Sequence, residues 1–116
     1  MGSLASGNGG NAGPITRLVG MLGYNEICGM VKSGYQVHRD QIQKVPYAVN
    51  GNQWIGFDDV QSLRDKLDFL KSRNLGGAMV WTVDTDDFHG KCNMGKYPLL
   101  NEINRHLSNG MLFETA

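Results

Sequence analysis

The sequence predicts an α/β chain, on three observations. Residues 76–83, Gly-Gly-Ala-Met-Val-Trp-Thr-Val, form a short apolar run opened by two glycines. A strand covered on both faces does not alternate, so this run reads as a buried strand. Apolar stripes at helical spacing flank it, with Val60, Leu63, Leu67 and Leu70 before it and Leu99, Leu100, Ile103 and Leu107 after it. Further upstream, residues 36–57 carry short strand patterns and a turn signal.

In chain order, residues 1–13 are rich in Gly, Ser, Ala and Asn. They hold too few apolar groups to offset their ordering entropy and read as a loop. Val19-Gly-Met-Leu-Gly is a short apolar run. Residues 24–31 predict a short helix, with Ile27, Met30 and Val31 on one face and Gly34 as its stop. Residues 36–40, 45–49 and 53–57 predict short strands. Asn50-Gly51 between the last two is a hairpin signal, because both central positions need positive φ. Trp54 reads as a hairpin core residue rather than a ligand.

Asp58 or Asp59 is placed to cap the next helix. Arg64 and Asp68 stand four apart on its expected outer side, and Asn74 ends it. At the strand period of two, Met79, Trp81 and Val83 share one face. Asp84, Asp86 and Asp87 follow at the strand's C-terminal end, where parallel α/β architectures bind ligands. Pro98 suits the first turn of a last helix.

The 116 residues suffice for one domain. Eleven basic residues balance 11 acidic ones, so the chain carries no electrostatic footprint for nucleic acid or an anionic membrane. No apolar run approaches the roughly 20 residues that span a bilayer, and residues 1–13 lack the apolar core of a signal peptide. His38, His89 and His106 have no metal-ligand spacing. A calcium loop starting at Asp84 fails, since its sixth position is His89 rather than Gly and its twelfth is Gly95 rather than Glu. Asp84-Thr85-Asp86 is a three-residue Asp-x-Asp of the kind some glycosyltransferases use for a metal. Capping and hydrogen bonding are the expected duties of these acids. No metal and no cofactor are expected. Cys28 and Cys92 are open to two readings, buried thiols or a pair.

One stretch carries more. Residues 76–81, with Asp84, Asp86, Asp87 and Phe88, resemble the last barrel strand of glycoside hydrolase family 18, the chitinases and chitinase-like lectins. Cys92, Asn93, Gly95, Tyr97, Pro98 and Leu99 extend the match downstream. Gly13-Pro14, Tyr24, Glu26-Ile27-Cys28, Val45-Pro46-Tyr47, Gly51-Asn52-Gln53-Trp54 and Gly56-Phe57-Asp58-Asp59 continue it upstream, in order. The resemblance is greatest to the animal chitinases. It implies the C-terminal portion of a TIM (β/α)8 barrel carrying the α+β chitinase insertion domain. Residues 1–57 would be part of that insertion, residues 58–107 the last helix-strand-helix of the barrel, and residues 108–116 a tail. One strand and two helices do not close a barrel, so the rest of the barrel is an implied partner.

The implied function is hydrolysis of β-1,4-linked N-acetylglucosamine polymers by a secreted, extracellular enzyme, with the substrate's acetamido group as nucleophile. Trp81 would be the floor on which the reacting sugar stacks; without the resemblance it reads as a core tryptophan. An indole covers the C–H face of a pyranose and suits the positive charge that develops on it. Met79 would line the same subsite, and Met21 and Tyr24 would form a cleft wall. The resemblance pairs Cys28 with Cys92, which implies an oxidising compartment. Two departures stand out. Leu18 occupies a position where the animal enzymes often carry Glu. The family's Asp-x-x-Asp-x-Asp-x-Glu motif, whose Glu is the general acid, does not occur in this sequence. No catalytic residue is therefore assigned. A non-catalytic chitinase-like lectin that binds chitooligosaccharides is the alternative, and a metal-dependent glycosyltransferase using Asp84 and Asp86 a weaker one.

Overall fold

The computed structural model describes residue 7 and residues 9–108. Most of the expected first loop, residues 1–6 and 8, and the tail from residue 109 lie outside the described residues.

Helix α1 spans Tyr24–Lys32. It starts at Gly23, which has no side chain to cap with; instead Glu26 reaches back, and its carboxylate accepts the Gly23 N–H at 2.7 Å. Gly34 ends the turn at φ 119°, a value that only glycine adopts freely. Strands β1 (Gln36–Arg39), β2 (Pro46–Asn50) and β3 (Gln53–Gly56) form one antiparallel sheet in the order β1-β2-β3. His38 pairs with Tyr47 and Val49 with Trp54. Pro46 and Ala48, alternating along the central strand, are buried.

Helix α2 spans Val60–Ser72. Of the two candidate caps, Asp59 does the capping: its side chain accepts the Ser62 N–H at 2.8 Å while the Ser62 hydroxyl accepts the Asp59 N–H at 2.9 Å. Asp58 pairs with Lys66 instead, at 2.6 Å. Helix α3 spans Pro98–Ser108, with Pro98 in its first turn as expected. It packs on α2 through Leu67, Leu70 and Leu107, with Leu63 and Ile103 half-buried beside them. Cys28 and Cys92 are disulfide-bonded, with Cα atoms 5.6 Å apart. The bond ties α1 to the loop before α3.

Four expectations are corrected. Residues 76–82 do not form a strand; residues 71–81 are all exposed. The reason is lateral. A strand persists when its N–H and C=O groups pair with a neighbour, and none of the three strands of the sheet lies beside this segment. Secondly, the hairpin loop is Gly51-Asn52, not Asn50-Gly51, because Asn50 pairs with Gln53. Only Gly51, at φ 58°, has positive φ, so a single glycine suffices, as in a type II′ turn. Thirdly, Trp54 is 64% exposed rather than core. It stacks on Tyr47, which stacks on His38, along one sheet face, and its ring covers the space above Gly56. Fourthly, Arg64 and Asp68 are exposed as expected, yet they do not pair with each other. Arg64 pairs with Glu102 and Asp68 with His106, both at 2.8 Å across the α2–α3 contact.

Candidate functional site

The site is the surface where the segment after α2 passes the start of α1. Segment 76–82 leaves its side chains uncovered, so Met79 and Trp81 are each 82% exposed. A wide-open groove of about 320 Å³ lies against them. Its lining includes Tyr24 and Leu22 from the start of α1, Phe57 from the end of the sheet, and Leu100 from α3. Three of the four sugar-binding candidates, Trp81, Met79 and Tyr24, are thus brought to one groove. The fourth, Met21, is not among its lining residues. It is 43% exposed and sits one residue before Leu22, with its carbonyl accepting the Thr16 hydroxyl at 3.2 Å.

Tyr24 brings a phenol to the groove, beside the polar Asp58, Thr82, Thr85 and Asp86. Burial, with Asp59, Asp86 and Asp87 nearby, pushes its phenol above the ordinary 10. It therefore remains a hydrogen-bond donor at neutral pH, and its hydroxyl lies 3.8 Å from the Met94 sulfur. Gly23, just before it, has no room for a side chain. A Cβ there would stand 2.5 Å from Asn25 Oδ1 and 3.3 Å from the Thr85 carbonyl oxygen.

The acidic group beside Trp81 is structural. The Asp86 carboxylate accepts the Leu100 N–H at 2.9 Å and the Leu99 N–H at 3.4 Å, capping α3 from outside the helix. The Asp87 carboxylate, fully buried, accepts the Lys91 N–H at 3.0 Å and the Cys92 N–H at 2.7 Å. Asp84 accepts from the Thr82 hydroxyl. Capping and hydrogen bonding are thus what these acids do. Among the described residues there is no group of three or more acids, histidines or cysteines able to bind a metal ion.

The sequence profile of the glycosyl hydrolases family 18 matches residues 2–86. This chain belongs to family 18. Human chitinase-3-like protein 2 is 56% identical over 92% of the chain and 27% of its own length. Mouse chitotriosidase-1 is 47% identical over 93% of the chain and 22% of its own length. A solved structure of human YKL-39, described as a pseudo-chitinase with retained chitooligosaccharide binding properties, superposes with a TM-score of 0.85 at 54% identity. That match covers 89% of this chain and 28% of the other. The family 18 chain therefore spans about a quarter of the length of these relatives.

Within this family 18 chain, sequence reasoning missed one site residue with a clear duty, Glu26. It is 4% exposed. Its carboxylate accepts the backbone N–H groups of Ile15 at 2.6 Å, Thr16 at 2.9 Å and Gly23 at 2.7 Å. Burial alone would raise its pKa, but these hydrogen bonds outweigh burial and hold the carboxyl below the ordinary 4.5. The available signal was its place three residues after the cap position, where a Glu closes a capping box. The two further bonds link residues ten and 11 positions apart and leave no local pattern.

Proposed function

We propose that this chain is the C-terminal segment of a secreted family 18 protein acting on β-1,4-linked N-acetylglucosamine polymers. In this reading residues 1–57 are part of the α+β insertion and residues 58–107 the last helix-strand-helix of a (β/α)8 barrel. Trp81 is the sugar-stacking floor, Met79 lines the same subsite, and Met21 and Tyr24 belong to the cleft wall. The single observation that carries the reading is the indole of Trp81, 82% exposed at the mouth of a groove it shares with Met79 and Tyr24. A side chain that large is seldom left so open without a partner. Val80 and Val83, also exposed, present apolar surface to which the missing barrel strands would pair and pack. The disulfide fits an oxidising compartment.

In the full-length protein the chemistry is retaining hydrolysis assisted by the substrate's acetamido group, with the general acid supplied from a barrel strand outside this segment. Stacking on Trp81 holds the sugar in a distorted, reactive geometry. The second reading is a chitin-binding lectin without hydrolysis. The higher identity to the chitinase-like relatives favours it, 56% against 47% to mouse chitotriosidase-1. Release of reducing ends from chitin by the full-length protein separates the two: release supports the enzyme, and binding without release the lectin. Loss of chitooligosaccharide binding in Trp81→Ala tests what both share.

A further inference from the structure

We infer that Glu26 is a positioning residue of the sugar cleft, acting through Thr16 on the wall segment Met21–Tyr24. The inference rests on the proposed chitooligosaccharide site and deepens it. Three backbone N–H groups converge on one buried carboxylate. Oxygen Oε1 holds Ile15 and Thr16, and Oε2 holds Gly23. The carboxylate thus clasps both ends of the segment 15–23. From the clasped Thr16, the hydroxyl donates to the Met21 carbonyl at 3.2 Å. From the clasped Gly23, the chain runs directly into Tyr24, which lines the groove with Leu22.

Several features say that this arrangement is built around the carboxylate. Gly13 passes so close that a Cβ there would stand 2.2 Å from Glu26 Oε1 and 2.7 Å from Leu22 Cδ2. The clasp also works against the local chain. Leu18, Val19 and Met21 are exposed apolar residues, so burial does little to fix them. Without the clasp, hydrogen bonds alone would have to order this segment, and it is exposed to competing water. A fixed wall binds a sugar at lower ordering cost than a wall that must be ordered on binding.

The test uses the intact, full-length protein. Affinity for the tetramer of β-1,4-linked N-acetylglucosamine is measured by calorimetry for the wild type, Glu26→Gln, Thr16→Val, Met21→Ala and the doubles of the first two with Met21→Ala. Near-UV circular dichroism confirms folding at the temperature used. Glu26→Gln keeps the volume but leaves one carbonyl oxygen for three donors. It is expected to weaken binding several-fold, and Thr16→Val, which removes only the last link, about threefold. In the Met21→Ala background Thr16→Val should change affinity by less than twofold, because the wall contact it positions is gone, whereas Glu26→Gln should still weaken binding through Gly23 and Tyr24. A purely structural Glu26 predicts instead a lower Tm with unchanged affinity, and that outcome overturns the inference. If Glu26→Gln does not fold, Thr16→Val decides alone: unchanged affinity overturns the inference. Unchanged affinity in Met21→Ala removes Met21 from the wall and the inference with it. The floor at Trp81 is read separately from Trp81→Ala.

Discussion

The disulfide between Cys28 and Cys92 allows a quantitative prediction, because it joins two elements that otherwise share few ties. It closes a loop of 64 positions. The loop-entropy relation gives such a cross-link about 4 kcal/mol at 25 °C, by restricting the unfolded chain. A domain of this size has a total stability of about 5–15 kcal/mol, so the bond is a large share of the whole. The perturbation is the double variant Cys28→Ser with Cys92→Ser, which leaves no odd thiol. The native contacts beside the bond survive it. The Asp87 carboxylate still holds the Cys92 N–H position, and the Lys32 ammonium still donates to the Lys91 carbonyl at 2.8 Å. Urea unfolding is the assay, since it reports two quantities. Stability should fall by about 4 kcal/mol, and the m-value should rise, because the uncrosslinked unfolded chain exposes more surface. A loss below about 1 kcal/mol with an unchanged m-value would contradict the loop-entropy origin of the bond's contribution. It would mean that the unfolded chain gains nothing from release and that Asp87 and Lys32 hold α1 to the loop unaided.

Further outcomes follow from the same geometry. Leu67→Ala, at the centre of the α2–α3 contact, should cost about 2–5 kcal/mol in thermal or urea unfolding. Asp59→Ala removes the cap of α2 and its pairing with Arg39, and should cost about 1 kcal/mol, with a matching loss of helical signal in circular dichroism. Gly13→Ala should destabilise by about 1–3 kcal/mol, because its Cβ would push the Glu26 carboxylate off its three backbone donors and crowd Leu22. Acid should destabilise the fold. Hydrogen bonds from Arg64, then Arg105, hold the Glu102 carboxyl below the ordinary 4.5, and the backbone clasp does the same for Glu26. Both groups therefore contribute stability that is complete above the unfolded value of about 4.5 and is lost as pH falls through their lower folded values. A Tm titrated from neutral pH to below 4 should drop, and Glu102→Gln with Glu26→Gln should flatten that drop.

Much of the fold was legible because its signals are local. The leucine stripes of α2 and α3 report their buried face directly, and the cap at Asp59 follows from residue type and place. What was not legible depends on neighbours. Residues 76–83 have the composition of a strand, but a strand needs a ladder, and the described residues supply none alongside. Trp54 has the apolar bulk of a core residue, yet its register opposite Val49 places it on the open face of the sheet, where it stacks on Tyr47. Arg64 and Asp68 fit an i,i+4 pair along one helix, but each found a partner on α3, where packing brings Glu102 and His106 within reach. At the site, Trp81, Met79 and Tyr24 were singled out by residue type and resemblance, and the groove collects all three. Glu26 escaped because its bonds reach back to Ile15 and Thr16, across a loop whose path no periodicity encodes.

The proposed function turns on whether the exposed indole of Trp81 holds a sugar. The direct measurement is calorimetric binding of the β-1,4-linked N-acetylglucosamine tetramer to the full-length protein and to its Trp81→Ala variant. An anchoring aromatic is worth about 2 kcal/mol, or thirtyfold in affinity. A loss of that size is expected, with the fold intact by near-UV circular dichroism. Affinity within twofold of the wild type, from an equally folded variant, would contradict the proposed function.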